Sequence, residues 1–285
     1  MKLLFTGASG FLGNNIYPLL KDNYSANLAI EIPNLTEKYD IILHAAGKAH
    51  SIPKTEEEKQ AFFDVNLQGT KHLCTALEES GVPKSFIFVS TVAVYGCDYG
   101  DNITEEYPLN GMTPYALSKI QAEQYLQEWC NKHHVTLGII RPSLIAGPNP
   151  PGNLGAMING IRNGKYFSIA GGRARKSVLM VQDIANLIPL LAEQGGISNV
   201  CDTYQPTFRE LEAVICRQLG KSMPLSIPYW LAKSMAVVGD CLGSKAPINS
   251  LKLNKITKSL TFSNEKAMRE LGWKPMNVLD NFKIE

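Results

Sequence analysis

The chain has 285 residues, 45% of them hydrophobic and 19% charged, with 28 basic side chains against 26 acidic ones. That balance describes an ordinary globular protein with ample core, and it offers neither the basic surface nor the run of like charge that a nucleic acid or acidic polymer would need. Six scattered cysteines (Cys74, Cys97, Cys130, Cys201, Cys216, Cys241) without CxxC spacing are expected as free thiols, and MKLLFTGASG breaks its apolar run at Gly7, too early for a secretory leader, so a cytoplasmic location is expected.

In chain order, KLLFT predicts a short buried strand, FLGNNIYPLL a helix, and NLAIEI a second strand. YDIILHAA predicts another apolar strand, TEEEKQAFFDVNLQGTKHLCTALEES one long helix ended by Gly81, and SFIFVS a strand. A helix holding Tyr115 follows, then VTLGIIRP as strand. Such alternation of near-continuous apolar strands with helices predicts a parallel sheet covered on both faces. Beyond Gly147, GPNPPGN marks a connection. Helices are expected over Leu154–Asn163, Asp183–Glu193 and Phe208–Leu219, with short strands near YFSIA, SVLMV and ISNVCD, and a last helix in EKAMRELGWKP ending at Gly272. PYWLAKSMAVVGDCLG is interrupted by Lys233 and Asp240, so it is too short and too charged to span a membrane. It is expected as an amphipathic helix used for packing, and no membrane partner is expected.

The first motif is TGASGFLG, with Gly7, Gly10 and Gly13 directly after a strand and opening a helix. Gly7 allows the tight turn, Gly10 lets backbone approach a pyrophosphate, and Gly13 lets helix and strand pack closely; the helix N-terminus then offers N–H groups to phosphates. The second is TPYALSK, which stacks Tyr115 and Lys119 on one face of a helix. In isolation such a pair is usually a solvated surface. A free tyrosine titrates near 10, so a base role requires help, and Lys119 together with the helix N-terminus is expected to favour the phenolate and lower that value.

Further stretches follow in order: HAAGKAH (His44–His50), DVNLQGT with Asn66, FVSTVAVYG with Ser90, Thr91 and Tyr95, RPSLIAGP, RKSVLMVQDIA and LGWKP. With its GxxGxxG spacing and this series of motifs, the chain resembles the extended short-chain dehydrogenase/reductases, the NAD-dependent epimerase/dehydratase (nucleotide-sugar) family. The resemblance covers nearly the whole chain. It implies an α/β fold, a Rossmann-type doubly wound parallel sheet with a smaller C-terminal α/β substrate domain: residues 1–147 binding the dinucleotide, 148–285 mainly the substrate, and 178–202 returning to the first domain. It implies Thr91, Tyr115 and Lys119 as catalytic residues, with Ser90 the alternative to Thr91. NAD or NADP would be held by Gly7, Ser9, Gly10, Phe11, Leu12, Gly13, Glu31, Ala45, Ala46, Gly47, Lys48, Asn66, Ser90, Tyr115, Lys119, Pro142 and Ser143. Thr91, Asn153, Arg175 and Lys176 are candidates for a nucleotide-sugar substrate, the cationic pair for its diphosphate in preference to a merely exposed pair. His44, inside an apolar strand, reads as a core residue, His133 and His134 as surface, and no metal-ligand spacing occurs.

Two departures carry consequences. Only 30 residues separate Gly13 from His44, too few for a full first helix, strand and crossover helix, so one crossover unit is missing or replaced by a tight loop and the sheet is shortened there. Glu31 is the one acid placed to take a ribose 2′-hydroxyl, and it reads equally as a solvent-facing strand residue. No arginine offers a 2′-phosphate clamp, and Lys48 is the alternative cation, which leaves NAD and NADP both open. Second, Val92 and Ala93 stand where dehydratases of this family typically carry an Asp–Glu pair, which disfavours dehydration and leaves epimerisation and 4-keto reduction, with a lean towards a UDP-linked sugar in surface-polysaccharide synthesis. A catalytically silent dinucleotide-binding regulator is the competing expectation, and a homodimer through the helices near TPYALSK and TEEEKQAFF is possible.

Overall fold

The computed structural model describes residues 1–21, 23–29, 35, 37–49, 51–242 and 248–284. Its elements run β1 (Lys2–Thr6), α1 (Phe11–Leu20), β2 (Ser25–Ala29), β3 (Ile41–His44), α2 (Glu56–Phe63), α3 (Gly69–Ser80), β4 (Ser85–Val89), β5 (Gly100–Ile103), α4 (Pro114–His133), β6 (Thr136–Pro142) and β7 (Leu144–Ala146). The second half adds α5 (Gly152–Arg162), β8 (Ser168–Ile169), β9 (Val178–Met180), α6 (Val181–Gln194), β10 (Gly196–Val200), α7 (Phe208–Leu219), β11 (Ser226–Ile227), α8 (Tyr229–Leu242), α9 (Ser250–Thr257), β12 (Leu260–Phe262), α10 (Glu265–Leu271) and α11 (Val278–Asn281).

Six strands pair in parallel in the order β10-β6-β4-β3-β1-β2. Successive residues of a strand point to opposite faces, and the apolar runs here feed two separate cores. Leu3, Phe5, Ile41, Leu43, Ile87 and Ile140 pack under α1 and α6, whereas Leu4, Ile42, Phe86, Phe88 and Ile139 pack under α3 and α4. Burial on both faces is why these strands lack a polar alternation.

A complete doubly wound sheet carries one more strand outside β2, reached by a helical crossover. Among the described residues that strand is lacking: β2 and β3 both flank β1, with only residues 30–40 between them. The shortening expected from the sequence is therefore located. Glu31, the candidate for the ribose 2′-hydroxyl, lies outside the described residues.

The long helix expected over 56–80 is divided. Asp64–Gln68 form a π-helical turn between α2 and α3, in which Gly69 N–H reaches back to the Asp64 carbonyl. The extra residue in that turn rotates Asn66 inward, to 1% exposure, and such turns recur at functional sites. Gly81, at φ +119°, ends the helix as expected.

A smaller layer is built around Leu154, Ile158, Leu211, Ile215, Val278 and Phe282 from α5, α7 and α11. The pairs β7·β9, β8·β11 and β5·β12 connect it, the last joining the first half of the chain to residue 262. Strands β5, β7, β11 and β12 and helices α9 and α11 were not expected from the sequence; each has eight residues or fewer, too few to show a period.

Candidate active site

The C-terminal ends of β1, β3, β4 and β6 converge, and their loops supply most of the expected site residues. At the end of β1, Gly7 has φ +81°, and a Cβ there would fall 2.5 Å from the Ala46 backbone nitrogen. A Cβ on Gly13 would fall 2.2 Å from the Ala8 carbonyl oxygen. Both glycines are therefore required by packing, Gly7 against the loop after β3 and Gly13 against the turn before α1. Gly10 differs: it is exposed, and a Cβ there would meet only the Gly7 carbonyl at 3.4 Å. It caps α1 with no side-chain hydrogen bond, so the first N–H groups of α1 face outward beside exposed Ser9 and half-buried Phe11 and Leu12.

The loop after β3 is held from below. Asn66 Oδ1 accepts from Lys48 N–H at 2.7 Å, and its Nδ2 donates to the Lys48 carbonyl (3.1 Å) and to Ser118 Oγ (2.9 Å). Gly47 passes so close that a Cβ would lie 3.0 Å from Asn66 Oδ1 and 3.2 Å from Lys119 Nζ. His44 is core, as expected. Its Nδ1 meets Thr6 Oγ1 at 2.6 Å and its Nε2 meets Thr70 Oγ1 at 2.9 Å, while Thr70 donates to the Asn66 carbonyl. That chain of donors places the ring proton on Nε2, and burial pushes the imidazole down to about 3, so it is neutral.

Ser90 and Thr91 follow β4. Thr91 Oγ1 accepts from Ala93 N–H at 3.1 Å, which fixes the hydroxyl at the start of a 3₁₀ turn, Val92–Tyr95. Tyr115 occupies the first turn of α4, which Thr113 caps through Ala116 N–H. The Thr91 hydroxyl is placed to favour the Tyr115 phenolate, and the tyrosine ring lies 6.2 Å from that of Phe62. Lys119, 3% exposed, sits one turn along α4. Its Nζ donates to the Val89 carbonyl at 2.8 Å and lies 4.5 Å from the centre of the Phe88 ring.

The electrostatics correct one expectation. Burial raises the Tyr115 hydroxyl above its ordinary value, and the opposing influence comes from the Thr91 hydroxyl. Lys119 was expected to lower it, but its ammonium is directed at Val89, and burial drives the lysine itself down to about 8 against the pull of Glu123. Desolvation of a neutral phenol and of a cation acts in these opposite directions.

Ser90 plays a different part from the hydroxyl of Thr91. Its Oγ donates to Glu123, whose carboxylate takes a two-pronged salt bridge from Arg141 (Nε 3.1 Å, Nη2 2.5 Å). Arg141 Nη1 donates to Tyr95 Oη at 3.0 Å, and Tyr95 donates to Asn199 Oδ1 at 2.6 Å. Glu123, Arg141, Asn199 and Ser118 were missed from the sequence. The i,i+4 spacing of Glu123 from Lys119 and an arginine inside an apolar strand were the available signals.

Pro142 ends β6, and Ser143, 9% exposed, donates its N–H to the Val200 carbonyl while its hydroxyl has no protein partner. The other three substrate candidates, besides Thr91, do not join this cluster by any hydrogen bond among the described residues. Asn153 is exposed in the first turn of α5. Arg175 donates to the Gln205 carbonyl (2.6 Å), and Lys176 Nζ to the Lys258 carbonyl (3.0 Å), with burial taking Lys176 down to about 8.

A glycine turn that packing demands, an uncapped helix N-terminus and a buried unpartnered hydroxyl at the carboxyl ends of parallel strands together fit a dinucleotide. The fold and the site thus define an α/β dinucleotide-binding protein of the Rossmann type. The chain belongs to the NAD dependent epimerase/dehydratase family, whose model matches residues 24–201, and it shares that family's use of NAD(P). Among its relatives is the N-acetyl-α-D-glucosaminyl-diphospho-ditrans,octacis-undecaprenol 4-epimerase of Escherichia coli O157:H7, 29% identical over 93% of this chain and 88% of the relative. Another is the dTDP-D-glucose 4,6-dehydratase of Mus musculus, 30% identical over 89% of this chain and 67% of that one. Among solved structures, RMD from Pseudomonas aeruginosa complexed with NADPH superposes with a TM-score of 0.75 over 99% of this chain and 96% of its own, at 21% identity.

Proposed function

We propose that the chain catalyses hydride transfer at C4 of a diphosphate-linked sugar, as a 4-epimerase or 4-ketoreductase of a nucleotide sugar serving surface-polysaccharide synthesis. The observation that carries this reading is that the Thr91 hydroxyl acts on that of Tyr115, with buried Lys119, one helical turn along, at the Gly47 loop beside the glycine turn. The dinucleotide, when bound, supplies the hydride acceptor or donor. Thr91, its hydroxyl oriented by Ala93 N–H, holds the reacting sugar oxygen. Tyr115 takes the proton from that oxygen or returns it. Lys119, its ammonium held on the Val89 carbonyl one helical turn away, faces the Gly47 loop and would help hold the dinucleotide beside that proton.

The family includes dehydratases, and water elimination needs an acid and a base besides this pair. Val92 and Ala93, the residues next to Thr91, supply neither, which favours epimerisation or reduction. The E. coli relative, named for a 4-epimerase reaction on a diphospho-linked sugar, supports the same carbon and a diphosphate-linked sugar. A buried lysine is costly, and its retention beside Tyr115 argues against a silent regulator.

The test is a panel of UDP-, dTDP- and GDP-sugars and their 4-keto forms, given to the wild type and to Tyr115→Phe. Inverted C4 without net cofactor consumption indicates an epimerase, and stoichiometric oxidation of NADPH a ketoreductase. Turnover by Tyr115→Phe within threefold of wild type would remove Tyr115 from the chemistry.

A further inference from the structure

Helix α8 turns its large apolar side chains away from the protein. Ala232 and Ala236, 1% and 0% exposed, and buried Gly239 face inward, so small residues do the packing that the sequence had suggested for the whole helix. On the opposite side stand Trp230 (69% exposed) and, two turns on, the adjacent Val237 (56%) and Val238 (63%), flanked by Leu231 and Met235. Ser234, the hydroxyl on that side, donates to the Trp230 carbonyl at 3.1 Å and is thereby spent within the helix. Leu225 and Leu251 are also exposed, at 76% and 67%. Singly exposed apolar residues need no explanation, but a contiguous face of them does.

The surroundings are cationic. In the segment that holds α8 and the α9 packed against it, Lys221, Lys233, Lys252, Lys255 and Lys258 are all exposed, the last with its ammonium 4.4 Å from the centre of the Tyr99 ring, and the one acid among its described residues is Asp240. Both Asp240 oxygens are engaged by Ser250, at 2.9 Å to its N–H and 2.5 Å to its hydroxyl. Asp98 approaches Lys255 from another loop at 3.2 Å. Pairing two copies of this face would set lysines against lysines. A bilayer bearing anionic headgroups satisfies both features at once: the apolar side chains enter the headgroup boundary and the lysines meet phosphates. No helix among the described residues is long and apolar enough to cross a membrane, so the contact is with the surface.

We infer that the outward face of α8 docks this chain on membranes carrying anionic lipid. The inference is independent of the reaction assigned above. It is tested by floating the full chain with vesicles of phosphatidylcholine alone or mixed with phosphatidylglycerol, and by following tryptophan emission. Trp129 and Trp273 are 5% and 2% exposed, so Trp230 is the reporter. The expected results are co-flotation and a blue shift with the mixed vesicles, reduced by salt, and at least tenfold weaker in Val237→Ser/Val238→Ser, whose positions face outward. No flotation with mixed vesicles overturns the proposal, as does binding to phosphatidylcholine alone of equal strength. Lipid-free self-association of the wild type that the double variant abolishes would assign the face to a second copy instead.

Discussion

Asn66 Nδ2 donates to Ser118 Oγ across 2.9 Å, and this contact ties the π-helical turn under the Gly47 loop to the helix that carries Tyr115. Ser118 in turn donates to the Tyr115 carbonyl at 2.8 Å. The loop proposed to face the dinucleotide and the residue proposed to move the proton therefore share one support. Removing a buried amide that makes three hydrogen bonds leaves its partners unpaired, at about 1–3 kcal/mol. Asn66→Ala is expected to lose roughly 2 kcal/mol in urea unfolding and to weaken both NAD(P) affinity and turnover. A loss of stability with unchanged cofactor affinity would show that the support is only structural.

Lys119 sets stability against activity. Its value of about 8, depressed from 10.5, means that the folded protein carries a disfavoured charge below pH 8 and is relieved of it between pH 8 and 10.5, where the unfolded chain still holds the proton. Stability from this group thus rises with pH in that window. Lys119→Met is expected to be more stable than wild type at pH 7 by about 1–3 kcal/mol, after the lost bond to Val89 is allowed for, and inactive. Urea midpoints at pH 7 and at about pH 10 check it, because the advantage should shrink at the higher pH.

His44 gives the opposite pH range. Its imidazole is neutral in the fold down to about 3 but gains a proton at 6.5 when unfolded, so its contribution is intact above pH 6.5 and is lost as the pH falls below it. Between pH 7 and 5 the wild type should lose about 2 kcal/mol more than His44→Gln. Parallel stability profiles for the two proteins would contradict the neutral buried ring.

The Glu123–Arg141 pair is almost without solvent, 0% and 3% exposed. Taking away one partner strands a buried charge, which costs about 3–5 kcal/mol, whereas replacing both with apolar groups is often nearly neutral. Glu123→Gln should therefore melt far lower than Glu123→Leu/Arg141→Met. Because Glu123 also supports the charge on Lys119, the Lys119 value should fall further in both variants. Titration of that lysine by NMR reads this effect separately from stability.

Much of this site was legible along the chain because its demands are local. A tight turn needs Gly7, helix–strand contact needs Gly13, and a stacked pair needs the four-residue spacing of Tyr115 and Lys119. The loss of a crossover was legible as a count of residues between Gly13 and His44. The role of Ser90 was not, since its acceptor, Glu123, lies 33 positions away, nor was the Tyr95–Asn199 bond, which spans 104.

The order of residues by itself determined the strand and helix types, the doubly covered sheet and the place of the glycine turn, because each follows from periodicity or from backbone freedom over a few residues. Only the tertiary structure decided which charges are desolvated and which faces stay bare. Tyr115 is raised rather than lowered because burial outweighs the Thr91 hydroxyl and the Lys119 ammonium is directed elsewhere, Asn66 turns inward in a π-helical turn, and α8 keeps its tryptophan and valines outside because alanines occupy the inner side.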